Sequence, residues 1–140
     1  MEGRLAEAGG LANGSGVVTE AVAGYRGAEM GTDPGGKDMA KLVVLYGAPQ
    51  DAAAFDAHYF EKHVPLAKTI PGLRRYEVSH GPVGTPGGPA PYHLVATLTF
   101  DDGAAIQAAF ASPQGLACAA DVQTFATGGA DMLIFETREV

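Results

Sequence analysis

The sequence has one cysteine, no tryptophan and few positive charges: 9 lysines and arginines stand against 16 aspartates and glutamates in 140 residues, a net charge of −7. The single Cys118 excludes an internal disulfide and any multi-cysteine zinc site, which fits a reducing, cytoplasmic compartment. The negative balance disfavours nucleic acid as a partner. No apolar run reaches the length of a membrane-spanning helix, so we expect no membrane partner either.

The 20 glycines are unevenly placed, with ten of them in residues 1–38. That stretch has few large apolar side chains and no sustained periodicity, so it cannot bury enough surface to offset its ordering entropy. We interpret residues 1–38 as a disordered or poorly packed N-terminal extension and residues 39–140 as one domain. Deleting the extension is expected to leave folding and dimer affinity unchanged.

Apolar periodicity predicts four strands in the domain. Residues 41–46 are apolar and β-branched, as in a central strand that is buried on both faces. Alternating patterns at 72–81, 92–100 and 131–136 predict the other three strands. Between the second and third strands, the proline- and glycine-rich residues 82–91 predict a loop.

Helical patterns separate these strands. One helix starts at Asp51, and a second pair starts at Asp101 or Asp102 and restarts at Ser112-Pro113. The order β, α, β, β, α, β predicts an α+β, ferredoxin-like fold, in which a four-stranded antiparallel sheet carries helices on one face. Its other face would show apolar side chains to water, which predicts a homodimer through the sheets.

The first helix carries two of the four histidines. At about 100° per residue, one buried stripe contains five side chains, Phe55, Tyr59, His63, Leu66 and Ile70. Pro65 disfavours the helical region for Val64, so the helix should break or kink after His63. By the same geometry His58 lies about 140° from His63, which makes a shared metal ion improbable.

Three residues are candidates for catalysis. His63 can act as a base near neutral pH, and Tyr59, one turn earlier, can hydrogen-bond or orient it. Alternatively, His63 only satisfies backbone carbonyls at the helix end. His80 shares a strand face with Tyr76 and can reach a pocket mouth, although a strand-end histidine is more often structural.

Five further side chains are expected to bind substrate: Phe55, Leu66, Tyr76, Tyr92 and Phe110. Alternation allows only one of Tyr92 and His93 to point towards the helices, and the apolar neighbours of Tyr92 favour Tyr92. Asp121 could orient a pocket residue or only terminate local hydrogen bonds.

Other polar residues are given structural interpretations. Cys118 lies in an alanine-rich helix and is expected to be a small core residue rather than a reactive thiol. Arg74 and Arg75 could grip a carboxylate, but ion pairs on the sheet surface are the commoner explanation.

Several short motifs in order resemble the EthD-like family, named from ethyl tert-butyl ether degradation. They are Leu45-Tyr46-Gly47, His63-Val64-Pro65, Ile70-Pro71-Gly72-Leu73, Pro91-Tyr92, Phe100-Asp101 and Ala120-Asp121 with Phe125. The resemblance covers residues 39–140. It implies a dimeric α+β barrel, made from the sheets of two subunits, with a small-molecule pocket between sheet and helices.

The superfamily that the resemblance implies includes cofactor-free monooxygenases, isomerases, polyketide cyclases and haem enzymes, so the fold does not choose a reaction. We expect a small-molecule-binding protein, either an enzyme that uses His and Tyr acid–base chemistry on an apolar carbonyl or aromatic compound, or a non-catalytic accessory dimer of an oxygenase or degradation pathway. No metal or other cofactor is predicted. Haem stays open, since a pocket histidine and an axial one look alike in sequence.

Overall fold

The computed structural model describes residues 39–140, so the extension predicted for residues 1–38 lies outside the described part of the chain. The elements in order are β1 (Ala40–Gly47), α1 (Ala52–His58), a π-helical segment (Tyr59–His63), α2 (Val64–Ala67), β2 (Arg75–Val78), β3 (Gly84–Thr85), β4 (Gly88–Pro89), β5 (Tyr92–Phe100), α3 (Gly103–Ala111), α4 (Pro113–Phe125) and β6 (Ala130–Glu136). The predicted order is confirmed. The loop at 82–91 additionally contains the small hairpin β3–β4.

The main sheet has the strand order β2-β5-β1-β6, and all neighbours are antiparallel. The prediction that β1 lies mid-sheet is confirmed, but only one of its faces is fully buried. Leu42, Val44 and Tyr46 are buried under the helices, whereas Val43 and Leu45 on the other face are half-buried. This is the α+β, ferredoxin-like fold that the sequence predicts.

The first helix begins as expected, because the Asp51 carboxylate accepts a hydrogen bond from the Ala54 amide. Its continuation differs from the prediction. Val64 is helical (φ −60°, ψ −48°), and the chain passes through Pro65 into α2 without a break. The π-helical segment accounts for this, since the Val64 amide donates to the Tyr59 carbonyl, five residues back. The wider turn makes room for the proline ring.

The π-helical segment also changes which residues face the core. Phe55, Tyr59, His63 and Ile70 are buried as predicted, but Ala67 takes the place of Leu66, which is half-buried. A π-helical turn contains more residues than an α-helical turn, so the buried position moves one residue along the chain.

The helices α3 and α4 follow the predicted caps, with Asp102 accepting from the Ala105 amide and Ser112 from the Gly115 amide. They pack on the same face of the sheet as the first helix. Among the described residues, no helix is long and apolar enough to cross a bilayer.

No helix of residues 39–140 covers the other face of the sheet. Leu133 and Phe135 on β6 are 49% and 41% exposed there, beside the half-buried Val43. We call this surface the open face.

Candidate functional site

A cavity of about 30 Å³ lies between the covered face of the sheet and the helices. The sheet contributes Leu42, Val44, Tyr46, Tyr76, Ala96, Leu98 and Met132, and the helical elements contribute Tyr59, His63, Ala67, Phe110, Cys118, Ala119 and Val122. The walls are therefore mainly apolar, with three tyrosines, one histidine and one cysteine. One water needs about 10–15 Å³ of such space, so the cavity has room for about two water-sized groups.

Asp121 on α4 joins two histidines of the first helix. Its Oδ2 lies 2.8 Å from His63 Nδ1, and its Oδ1 lies 2.9 Å from His58 Nε2. The His63 side chain is buried, while that of His58 is 30% exposed. Phe125, one turn after Asp121, packs its ring 4.9 Å from the His63 ring and 5.1 Å from the His58 ring. The carboxylate and the phenyl ring together fix both imidazoles.

The convergence of His58 and His63 contradicts the sequence-based geometry, which placed them about 140° apart. That angle assumed a regular α-helix. The chain is π-helical from Tyr59 to His63, and its i→i+5 bonding brings residues five apart onto one side. Asp121, which the sequence left as one of two options, therefore does orient a cavity residue.

The hydrogen bonds to Asp121 define the protonation of His63. Burial acts to raise the pKa of Asp121, but the hydrogen bonds from His63 and His58 outweigh it and lower that pKa. The ionised carboxylate accepts the proton on His63 Nδ1. Burial lowers the pKa of His63 below its usual value, although the bond and charge of Asp121 oppose this. His63 is thus neutral at pH 7, with its lone pair on Nε2.

Cys118 lies on the free side of the His63 ring, with Sγ 3.5 Å from Nε2. Burial, together with the Asp121 charge, raises the pKa of the Cys118 thiol to about 12, so the thiol keeps its proton. The expected core position is correct, since Cys118 is 5% exposed. Sequence analysis missed its contact with His63. A thiol is a weak hydrogen-bond donor, so a ligand can readily replace it as the partner of the Nε2 lone pair.

Tyr59 does not hydrogen-bond His63, contrary to the expectation from their spacing. Its hydroxyl lies 2.6 Å from the hydroxyl of Tyr76, across the cavity wall on β2. The Tyr59 and His63 rings contact each other with a centroid distance of 5.2 Å, so Tyr59 packs against the histidine without polarising it. Asp121, rather than Tyr59, makes the hydrogen bond to His63.

The cavity gathers only part of the predicted site. His63, Tyr59, Tyr76 and Phe110 line it. Four predicted residues do not, namely Phe55, Leu66, His80 and Tyr92. Phe55 is buried behind the cavity in the ring cluster with Tyr46 and Phe125, and His80 is exposed after the end of β2.

The orientation predicted at the start of β5 was wrong. His93 reaches the first helix, where its Nε2 lies 2.8 Å from Asp56 Oδ1 and its ring packs edge-on against Phe55 at 4.9 Å. The cause is an irregularity in the pairing of β1 and β5, which sets Gly47 opposite Tyr92 and breaks the strict alternation there.

Arg74, just before β2, and Arg75, the first residue of β2, do not line the cavity. Arg74 binds both carboxylate oxygens of Asp101 at 2.9 Å, and Arg75 lies 3.8 Å from Glu77. All four side chains are more than half exposed. These are the surface ion pairs that the sequence favoured over carboxylate binding.

The residues described do not fit a metal ion or haem. They contain no group of three or more histidine, cysteine or acidic side chains arranged to hold a metal. His63, the candidate axial ligand, faces a cavity of about 30 Å³, and haem needs a much larger apolar space.

Known proteins are similar to this chain in sequence and in fold. Residues 48–129 match the family model described as the EthD domain. The chain belongs to the EthD family. The uncharacterized 11.0 kDa protein of the thcB-thcC intergenic region of Rhodococcus erythropolis is 40% identical over 102 residues, which are 73% of this chain and 98% of that protein.

Two solved structures extend the comparison. The structure of an EthD-family protein from Bacillus halodurans is 37% identical, covers 73% of this chain and 99% of its own, and superimposes with a TM-score of 0.65. Hydroxynitrile lyase from Passiflora edulis is 17% identical, with 75% and 97% coverage and a TM-score of 0.59. The second likeness shows the fold alone. The resemblance to the EthD family is thus confirmed from sequence and structure.

Proposed function

We propose that this EthD-family protein binds a small, apolar carbonyl compound in the cavity and removes a proton beside the carbonyl with His63, without a cofactor. The observation that carries the proposal is the 2.8 Å bond between Asp121 Oδ2 and His63 Nδ1. It leaves Nε2, which lies beside Cys118 of the cavity wall, as the only nitrogen of that ring able to accept a proton.

The proposed step is a simple proton transfer. The C–H bond next to the carbonyl breaks, its proton goes to Nε2, and its electron pair moves onto the carbonyl oxygen to form an enolate. His63 becomes an imidazolium next to the ionised Asp121, which stabilises the new charge. An enolate is the common starting point of isomerisation, cyclisation and some oxygenation reactions, so this step is compatible with each of those outcomes.

The cavity limits the ligand. Its room for about two water-sized groups fits the carbonyl end of a ligand whose remainder lies outside the cavity. The apolar walls favour a ligand without charged groups, because a charge moved into such surroundings loses its hydration.

The test is hydrogen–deuterium exchange of small ketones in D₂O, followed by proton NMR. The wild-type protein should catalyse loss of the protons next to the carbonyl of acetone or butanone, and His63→Gln should remove that catalysis. A matched control is His93→Gln, because His93 has the same 2.8 Å bond to a carboxylate but lies off the cavity. Binding of a ketone without exchange would instead favour the alternative, a non-catalytic accessory or ligand-binding protein.

Thermal unfolding separates a catalytic His63 from a structural one. If His63→Gln loses exchange but melts within a few degrees of wild type, the histidine acts in the reaction. A large loss of stability together with the loss of exchange would support the structural alternative.

We also propose that two copies associate through the open face, to give the dimeric α+β barrel expected of the family resemblance. Leu133 and Phe135 leave apolar surface in water on a monomer, and each Å² that a partner covers contributes about 25 cal/mol. Phe135→Glu should shift analytical ultracentrifugation from dimer to monomer. Phe60→Glu is the control, since Phe60 is 48% exposed on the first helix, away from the sheet. A wild-type monomer at low micromolar concentration would refute the barrel.

The cytoplasmic location stays a prediction.

A further inference from the structure

The cavity contains a buried hydroxyl that the proton transfer does not use. Tyr46 is 1% exposed, and its ring is held edge-on by Phe55 and Tyr59 and at a tilt by Phe125. Such packing on several sides fixes the direction of the phenol. Sequence analysis treated Tyr46 only as part of the strand-end motif.

The Tyr46 hydroxyl has no hydrogen-bond partner among residues 39–140, whereas the hydroxyls of Tyr59 and Tyr76 satisfy each other. Every fully enclosed side-chain oxygen or nitrogen of the described residues does have a partner. The Tyr46 oxygen is therefore not fully enclosed, and Tyr46 is one of the residues that line the cavity.

The surroundings keep this hydroxyl protonated. Burial raises the pKa of Tyr46 well above its usual value, and the nearby Tyr76, Cys118 and Asp121 act in the same direction. A protonated, unpaired and rigidly held phenol is a hydrogen-bond donor in need of an acceptor. Because no side chain of residues 39–140 accepts from this hydroxyl, the acceptor has to come from whatever occupies the cavity.

We propose that Tyr46 donates a hydrogen bond to the carbonyl oxygen of the ligand and stabilises the negative charge that develops on it. The stabilisation of developing charge rests on the proposed function, whereas the hydrogen bond to a bound carbonyl does not. It assigns the ligand class as uncharged compounds with an exposed carbonyl oxygen, and it predicts weak binding of the matching hydrocarbons. Donors aimed at an oxygen that gains charge contribute more as the charge forms.

The test uses acetone labelled with ¹³C at the carbonyl, because that resonance moves downfield when the oxygen accepts a hydrogen bond. Wild-type protein should move it downfield as protein is added, and Tyr46→Phe should abolish the shift. Because Tyr46 gives up no hydrogen bond within the protein, Tyr46→Phe should melt at or above the wild-type temperature. Tyr92→Phe is the matched control: it removes the hydroxyl of a tyrosine that does not line the cavity, so it should keep the acetone shift.

The outcomes separate the two proposals. A wild-type shift that Tyr46→Phe loses, with no deuterium exchange in either protein, supports the Tyr46 site and refutes the proton transfer. Exchange that Tyr46→Phe retains at the wild-type rate overturns the Tyr46 site alone. An unshifted resonance with the wild-type protein, or a Tyr46→Phe variant that shifts it equally, also overturns the inference. If Tyr46→Phe fails to fold, Tyr46 has a structural bond that the inference denies, and the inference is wrong.

Discussion

The hydrogen bonds of Asp121 make Asp121→Asn the most informative substitution in the site. The carboxylate accepts from His63 and His58 at once, whereas an asparagine offers one oxygen and one amide group. One histidine must then face an N–H donor and change its tautomer. If that histidine is His63, the proton moves to Nε2 and the base is lost; if it is His58, His63 keeps its tautomer but loses the neighbouring charge that raises its pKa.

The stability change can be worked out from the same bonds. A hydrogen bond to a charged group contributes about 1.5–3 kcal/mol, and the bond to the buried His63 should lie within that range. The bond to His58 contributes less, because that side chain is 30% exposed and solvent screens it. Asparagine keeps part of both interactions, so we expect a loss of about 2 kcal/mol, which corresponds to a fall of about 10 °C in melting temperature for a domain of this size.

The activity change should be larger. General base catalysis contributes about 10²–10⁴-fold, so a wrong tautomer of His63 should slow deuterium exchange of acetone by about 100-fold or more. His58→Gln is the control, since it removes the other partner of Asp121 and leaves His63 in place. An Asp121→Asn variant that folds and exchanges acetone at the wild-type rate would refute the role of the Asp121–His63 pair.

Three further predictions follow from the same geometry. Cys118→Ser should slow deuterium exchange, because a hydroxyl donates a hydrogen bond to His63 Nε2 more strongly than a thiol does. Cys118→Ala should preserve the exchange. Loss of exchange in the alanine variant would show that the thiol takes part in the proton transfer. The folded state holds the pKa values of His63 and Asp121 below their usual values, so the unfolded chain binds more protons. The melting temperature should therefore fall as the pH drops below about 6.5, the usual pKa of histidine. In His63→Gln the fall should begin only at lower pH, where carboxylates become protonated. Gly47→Ala should lower the free energy of unfolding strongly, because a Cβ there collides with the backbone carbonyl of Gly128, and circular dichroism of the purified variant measures this.

Much of the fold follows from local sequence signals. The caps Asp51, Asp102 and Ser112 and the bounds of β5 could be predicted because they depend on neighbouring residues in the chain. The element order predicted that one face of the sheet carries no helix. The half-burial of that face could not be predicted, because an apolar β1 looks the same in sequence whether a helix or another protein covers it.

The site could be predicted only in part, for a different reason. His63 was found because it interrupts an apolar stripe, but its partner Asp121 is 58 residues away on another helix. Nothing local to Asp121 distinguishes a carboxylate that orients a histidine from one that caps its own helix. The contact of Cys118 and the unpaired hydroxyl of Tyr46 likewise depend on tertiary packing, which single-sequence patterns do not report.

The π-helical segment is the feature that turns an amphipathic helix into a site. In a regular α-helix the Asp121 carboxylate could meet His58 or His63 but not both, because the two imidazoles would point in directions about 140° apart. Pro65 gives a physical reason for the wider turn, since its ring clashes with the carbonyl four residues earlier in a regular helix. The proline was expected to break or kink the helix after His63. It instead lies just beyond a turn that aligns both histidines on one carboxylate, and π-helical turns occur frequently at functional sites.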